Sequence, residues 1–153
     1  MATLRWGGFY LRFHLGLALV PLALLVVGGD FWLRYLMLLG VLVAHELGHA
    51  GMAFLQGGRR AVVTIWPWGG VAHVPHFRDR REAWVALAAP GVNLLLAALF
   101  FALGGRLTLA LGQCPYADLM LTANLLMGLG NLIPLPRLDG GRALRALRRP
   151  VPA

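Results

Sequence analysis

Residues 36–55 read LMLLGVLVAHELGHAGMAFL, and this stretch decides the fold. It is an apolar run of about 20 residues, the length that a helix needs to cross the hydrocarbon core of a bilayer. Its middle nevertheless carries His45, Glu46 and His49. Ionisable side chains are costly inside a membrane and usually mark a functional site. The stretch therefore predicts a transmembrane helix with a site on one face. A helix cap near a water-filled crevice and a hydrogen-bonded packing motif are the open alternatives.

The spacing of the three polar residues matches the pattern HExxH. In a helix, His45 and His49 lie about 40° apart around the axis, so both imidazoles can bind one zinc ion. Glu46 lies about 60° from His49, close enough to act as general base on a water whose pKa zinc lowers to about 7. Five-residue patterns recur by chance, and the apolar surroundings are what make this one specific.

A catalytic zinc ion takes three protein ligands, so a third must come from elsewhere in the chain. The single cysteine, Cys114, leaves no paired-cysteine site. The acidic residues other than Glu46 and Asp139 fall in loops or at the ends of apolar segments. Asp139 lies in NLIPLPRLDGGRAL, where two following glycines permit close approach of the backbone. It is the candidate third ligand, and the N-cap of a short C-terminal helix is its alternative role.

The whole chain has the composition of a membrane protein. Of its 153 residues, 59% are hydrophobic and 13% are charged, and the mean hydropathy is +0.70, well above the norm for globular domains in water. We predict a single α-helical membrane domain over residues 1–153. The N-terminal apolar segment lacks a convincing signal-peptide cleavage site, so we interpret it as a membrane helix. About four transmembrane helices are expected, over residues 11–28, 31–55, 83–104 and 116–133.

A small β-sheet is expected beside these helices. Residues 61–75, AVVTIWPWGGVAHVP, place β-branched residues around a Pro/Gly turn and predict a hairpin. Residues 8–14, GFYLRFH, alternate well enough to predict a third short strand. An edge of such a sheet offers pairing to an extended peptide. His73 and His76 have a spacing that suits a metal, but we interpret them as residues of a wet membrane boundary.

All 14 basic residues are arginines, and they alternate between rich and poor loops. The positive-inside rule then places both termini and the long second loop in the cytoplasm. The net charge of +8 indicates contact with the anionic headgroups of the lipid bilayer, and no basic-aromatic module predicts nucleic-acid binding. The rich loops carry Arg5 and Arg12, then Arg59, Arg60, Arg78, Arg80 and Arg81, then Arg137, Arg142, Arg145, Arg148 and Arg149, and the poor loops carry Arg34 and Arg106.

Together, HELGH and NLIPLPRLDGG resemble the signature of the site-2 protease family of intramembrane metalloproteases, which joins HExxH to an N-x-x-P-x-P-x-LDG segment. The sequence APGVN at residues 89–93 is similar to the family's small-Pro-x-x-Asn element. The Gly-Gly pair at residues 69–70 of the hairpin matches as well. The resemblance covers most of residues 7–145.

This resemblance implies zinc ligation by His45, His49 and Asp139, with Glu46 as the catalytic base. Two asparagines, Asn93 and Asn131, occupy positions that the family associates with its active-site region. There a side-chain amide would stabilise the oxyanion or hold the substrate backbone. A hydrogen bond between helices is the alternative role for each asparagine.

The expected function is that of a zinc metalloendopeptidase in the bacterial cell membrane, which cuts in or near the transmembrane segments of single-span membrane proteins. No PDZ-like or nucleotide-sensing domain is recognised. Either this core alone controls substrate access, or a homo-oligomer or a regulatory membrane partner completes that control. The alternative is a catalytically silent zinc-binding membrane protein that acts as a chaperone or partner subunit. Glu46 argues against it, because a protein that only binds zinc needs only the ligands. A small transporter or channel subunit with a metal site is a third interpretation, which the NLIPLPRLDGG match weakens.

Overall fold

The computed structural model describes residues 1–77, 79–109 and 114–149. Arg78 and residues 150–153, which enter the predictions above, lie outside the described residues. The chain is mostly helical and carries one small sheet, as predicted. In chain order its elements are β1 (Ala2–Trp6), β2 (Phe9–Phe13), α1 (Gly16–Val27), α2 (Phe31–Leu55), β3 (Ala61–Trp66), β4 (Gly69–His73), α3 (Arg81–Ala102), α4 (Tyr116–Leu132) and α5 (Asp139–Leu147).

The four strands form one mixed sheet in the order β1-β2-β3-β4. Two antiparallel hairpins, β1-β2 and β3-β4, are joined by parallel pairing of β2 with β3. Helices α1 and α2 make the long crossover that parallel strands require. The strand β1 was not predicted. Its turn contains Gly7 and Gly8 with φ of 53° and 90°, and positive φ at both positions is typical of a two-residue hairpin.

One face of the sheet packs on α2. Alternate residues of β3, namely Ala61, Val63 and Ile65, are fully buried and contact Ala50 of α2. This is the period-two pattern of a strand with one face in the core. Because Ala50 directly follows His49, the packing places the hairpin over the half of α2 that carries the HExxH motif.

The first predicted membrane helix is shorter than expected. Residues 11–13 belong to β2, and α1 has 12 residues, which rise about 18 Å against a hydrocarbon core of about 30 Å. Backbone pairing to β1 on one side and β3 on the other holds these residues as a strand. Among the described residues, two helices, α2 and α3, are long and apolar enough to cross a membrane. Four spanning helices remain a prediction.

Helix α3 is central, since it packs against α2, α4 and α5. The backbones of α2 and α3 approach closely at Gly48, where an added methyl carbon would lie 2.7 Å from Cα of Ala89. Small residues at such contacts let helix backbones approach one another. The contact with α5 is of the same kind and is made by Ala83 and Ala86 on α3 with Ala143 and Ala146 on α5.

Candidate metal centre

His45 and His49 meet Asp139 inside the helical bundle. The histidine rings lie one turn apart on α2 with centroids 5.1 Å apart, and Asp139 is the first residue of α5. Its Oδ2 lies 3.2 Å from Nε2 of His45, and its Oδ1 lies 3.2 Å from Nε2 of His49. Each of the three residues is at most 9% exposed. Within the described part of the chain, this is the one group of His, Cys, Asp and Glu arranged to hold a metal ion.

Helix α3 hydrogen-bonds the Nδ1 atom of both imidazoles. Nδ1 of His45 donates to Oδ1 of Asn93 at 2.7 Å, and Nδ1 of His49 donates to the carbonyl of Val85 at 2.8 Å. The carbonyl of Val85 can only accept, so the proton of His49 is on Nδ1. The amide of Asn93 is oriented to accept as well, because its Nδ2 donates to the carbonyl of Val41 at 3.4 Å. Each Nε2 atom faces Asp139 and is therefore the ring nitrogen available to a metal ion bound between them.

The loop before α5 delivers Asp139 to the histidines. The backbone of Gly141 lies against the carbonyl of Leu135, where a methyl carbon would collide. The N-cap of α5 is Leu138, and no side chain caps the helix. Asp139 thus does not take the alternative role of N-cap, because both of its oxygens face the histidines.

Asp139 offers a carboxylate to the site. Burial raises the pKa of its carboxyl group, but the two imidazoles beside it outweigh this effect and hold the pKa at about 2. A carboxylate and two imidazoles with bare Nε2 atoms are what a divalent metal requires of its ligands.

This donor set fits zinc. In a tetrahedral zinc site with ligand bonds of about 2.0–2.2 Å, neighbouring ligand atoms stand about 3.4 Å apart. The two contacts between Nε2 and carboxylate oxygen are 3.2 Å, and all three ligand atoms lie within 4.8 Å of one another. Three protein ligands also leave a fourth position open, as in catalytic zinc sites.

Glu46 lies beside the ligand group and is not part of it. The side chain is 7% exposed and faces the strand β4. A methyl carbon added at Gly70 would lie 3.1 Å from Cγ of Glu46 and 2.9 Å from Cδ1 of Ile65. The glycine at this point of β4 therefore leaves the room that the side chain of Glu46 occupies.

The two predicted asparagines differ in their surroundings. Asn93 is fully buried, and its amide bonds to His45, to the carbonyl of Val41 and to Oδ1 of Asn124. Asn131 is half-buried and donates to the carbonyl of Met127 on its own helix at 2.9 Å. A contact of either amide with the oxyanion or the substrate stays a prediction.

Several residues that support the site were missed by sequence reasoning. The carbonyl of Val85 leaves no side-chain signal. In the sequence, Glu82 is an acidic residue at the end of an apolar segment. It lies about three turns before Asn93 on the same face of α3, and this spacing indicates that the two side chains face the same side of the helix. His76 contacts Glu82 at 3.2 Å with its side chain 83% exposed, and His73 does not join the metal group either.

Several known proteins are similar to this chain in sequence. No family model matches the sequence. The chain is 42% identical over 117 residues to Rip3 of Mycobacterium tuberculosis, covering 72% of this chain and 29% of that protein. It is 31% identical over 118 residues to MJ0392 of Methanocaldococcus jannaschii, covering 76% of this chain and 35% of that protein. Both relatives are named as zinc metalloproteases. The chain spans about a third of the length of the curated relatives it matches.

A solved structure gives the same result. The site-2 protease from Methanocaldococcus jannaschii superposes with a TM-score of 0.71 and 27% sequence identity, covering 95% of this chain and 70% of that chain. Motif, ligand geometry, sequence relatives and fold therefore agree. The chain belongs to the site-2 protease family.

Proposed function

We propose that this chain is an intramembrane zinc metalloprotease, which hydrolyses peptide bonds in or near the transmembrane segments of membrane proteins. The observation that carries the proposal is the convergence of His45, His49 and Asp139 on one buried point with Glu46 beside it. The names of the sequence relatives support both zinc and proteolysis.

The chemistry divides between the ligands and Glu46. His45, His49 and Asp139 would hold the zinc ion, which when bound supplies a Lewis acid that polarises a peptide carbonyl and lowers the pKa of water. Glu46 takes a proton from the attacking water and returns it to the leaving amine. The contact with Gly70 limits where the carboxylate of Glu46 can stand, so that strand β4 positions the base.

The outer surface supports insertion into a membrane. Helix α1 has no buried residue and exposes Leu19, Leu22 and Val26 by 60% or more. An apolar surface of this extent is expected of a face in contact with lipid. We place the helices in the bilayer of a bacterial cell, as a multi-pass protein. The arginine-rich loops and both termini then lie on the cytoplasmic side.

The sheet supports the presentation of an extended substrate. A helical segment hides its peptide bonds, so a single-span substrate must unwind locally before it can be cut. β4 is an edge strand of the described sheet, and a segment that pairs with this edge would pass the side chain of Glu46. A groove of about 230 Å³, lined by Tyr35, Trp68 and Met127 among others, gives an apolar approach beside the hairpin. A second copy or a regulatory membrane partner would control this approach.

The decisive experiment compares the wild type with Glu46→Gln on a panel of single-span substrates in proteoliposomes. Glutamine keeps the shape of the side chain but not its basicity. We therefore expect cleavage to fall about 10²–10⁴-fold with zinc content unchanged. Equal processing by both proteins would refute the proteolytic role. Zinc binding by the wild type without any cleavage would instead favour a catalytically silent zinc-binding chaperone or partner subunit.

A second variant tests the ligand set. Asp139→Ala removes one of three protein ligands, so the zinc content of the purified protein should drop sharply. Metal analysis of the two variants side by side separates the ligand from the base. Unchanged zinc in Asp139→Ala would remove Asp139 from the ligand set.

A further inference from the structure

We propose that the ion pair between Glu82 and Arg142 is a positioning device, which sets where Asp139 stands against His45 and His49. The proposal rests on the zinc site described above and adds two residues that do not touch the metal. Glu82 lies in the first turn of α3, and Arg142 lies one turn after Asp139 on α5.

Glu82 is a buried carboxylate with three partners. It is 3% exposed, and its Oε2 accepts the backbone N–H of Phe77 at 3.0 Å. Its Oε1 accepts Nε–H of Arg142 and lies 3.2 Å from Nδ1 of His76. A buried charge is stable only when it is paired and hydrogen-bonded. Glu82 therefore ties α5 to the start of α3 and to the segment that precedes it.

The rest of the α3–α5 contact does not define a register by itself. It is made mainly by alanines, with Leu87 beside them, and these small side chains offer little interdigitation along the helix axis. Helix α5 is also short, with nine residues. In the described part of the chain, the arginines that follow Arg142 bond to backbone carbonyls, Arg145 to Pro136 and Arg149 to Phe77. A charge-assisted hydrogen bond between an arginine and a carboxylate has a preferred direction and length. The bond from Arg142 to Glu82 is thus the side-chain contact best placed to fix the height and the rotation of α5 against α3.

Asp139 and Arg142 are neighbours on one helix face, since residues three apart lie one above the other. A shift of α5 that breaks the bond at Arg142 therefore also moves Asp139. The two carboxylate oxygens of Asp139 must each stay close to a different imidazole, and both contacts are 3.2 Å. Loss of the ion pair would consequently disturb the ligand geometry without removing a ligand.

All three candidate ligands are positioned by contacts with helix α3. It holds His49 through the carbonyl of Val85 and His45 through Asn93. The Glu82–Arg142 pair makes the equivalent connection for Asp139, the ligand that comes from a distant segment. A second tie, from Nη1 of Arg149 to the carbonyl of Phe77 at 3.2 Å, supports the far end of α5.

The test measures zinc affinity and not only activity. We expect Arg142→Met to lower zinc affinity, measured by competition with a chelator, by up to about 10-fold, the lower end of the effect of losing a partner bonded directly to a metal ligand, because Arg142 acts on Asp139 only through the position of α5. The visible spectrum of the cobalt-loaded protein should shift, because it reports ligand geometry. Arg148→Met is the matched control at the C-cap of the same helix, since the exposed side chain of Arg148 makes no hydrogen bond within the described residues. It should leave both readouts unchanged.

The double variant Glu82→Gln/Arg142→Met separates positioning from folding. It leaves no unpaired buried charge, and we expect it to fold and to bind zinc no more weakly than Arg142→Met, because the two residues act through one contact. If Arg142→Met does not fold, the zinc affinity and the cobalt spectrum of the double variant test the positioning role. Wild-type zinc affinity and an unshifted cobalt spectrum in either folded variant would overturn the positioning role. Failure of the wild type itself to bind zinc would instead refute the proposed function.

Discussion

Replacing Asn93 with leucine should weaken zinc binding although Asn93 is not a ligand. The residue is fully buried, and its Oδ1 accepts the Nδ1 proton of His45 at 2.7 Å. Leucine has a similar volume and suits an apolar helix, but it accepts no hydrogen bond. The imidazole of His45 would lose both its restraint on ring orientation and its preference for the tautomer with a bare Nε2.

The magnitude follows from what the amide does. An outer partner of a ligating histidine contributes about 10–100-fold in metal affinity, or about 1.4–2.7 kcal/mol. Asn93→Leu also removes the donor to Oδ1 of Asn124 at 2.9 Å and to the carbonyl of Val41. A buried acceptor left without a donor costs about 1–3 kcal/mol. The metal-free protein should therefore lose stability as well.

The assay must separate these two effects. Zinc affinity is measured by chelator competition in detergent, at a temperature where circular dichroism shows the variant to be folded. Stability is measured separately, by thermal unfolding of the metal-free protein. Asn124→Leu is the control, because it removes the outer partner of Asn93 and leaves the bond to His45 in place. We expect it to lower stability with a smaller change in zinc affinity.

The competing role for Asn93, contact with the substrate or the oxyanion, gives a different result. It predicts a loss of kcat/KM with zinc affinity unchanged. A folded Asn93→Leu protein that binds zinc as tightly as the wild type would refute the reasoning that this amide holds His45.

Two glycines carry further predictions, each with a matched glycine as control. Gly70→Ala should slow cleavage with zinc retained, because its methyl carbon would lie 3.1 Å from Cγ of Glu46. Gly69→Ala is the control, since an added methyl there meets no atom within 4 Å. Equal cleavage rates for the two alanine variants would contradict the proposed crowding of Glu46. Gly48→Ala should lower the thermal unfolding temperature of the detergent-solubilised protein, because its methyl would lie 2.7 Å from the α3 backbone and overpacking costs about 1–3 kcal/mol. Gly51→Ala, on the same helix, meets no atom within 4 Å, and a similar decrease in both proteins would argue against a close contact at residue 48.

The parts of the fold that depend on local pattern could be predicted from the sequence. Helix α2 covers Phe31–Leu55, the predicted range, because a long, mostly apolar run and the turn at Gly29 and Asp30 before it act within a few residues. The hairpin follows from its own turn residues. Residues 11–13 received two predictions, as the start of the first helix and as part of the short strand over residues 8–14, and the strand prediction is the one confirmed. Their strand conformation comes from parallel pairing with Val63–Ile65, a partner far away in the chain.

The metal site shows the same division. His45, Glu46 and His49 are recognisable because their spacing is a property of one helix. Asp139 required a second motif and a resemblance, since nothing local connects it to α2. Among the contributions of α3, Asn93 was named through the resemblance. Val85 was not, because it acts through its backbone, and the partners of Glu82 come from α5 and from the segment before α3. Contacts that exist only between elements leave little trace in either element alone.

This division has a physical consequence for how the site is built. Helices in a lipid environment gain no hydrophobic driving force from associating, so close backbone approach and polar contacts must define their arrangement. The small residues of α3 permit that approach, and without it the carbonyl of Val85 could not reach His49, nor Glu82 reach Arg142. The polar contacts that fix the helix register are then the same ones that orient the ligands. Stability of the bundle and geometry of the metal centre therefore depend on one set of bonds, which is why changes to α3 should alter zinc affinity without touching a ligand.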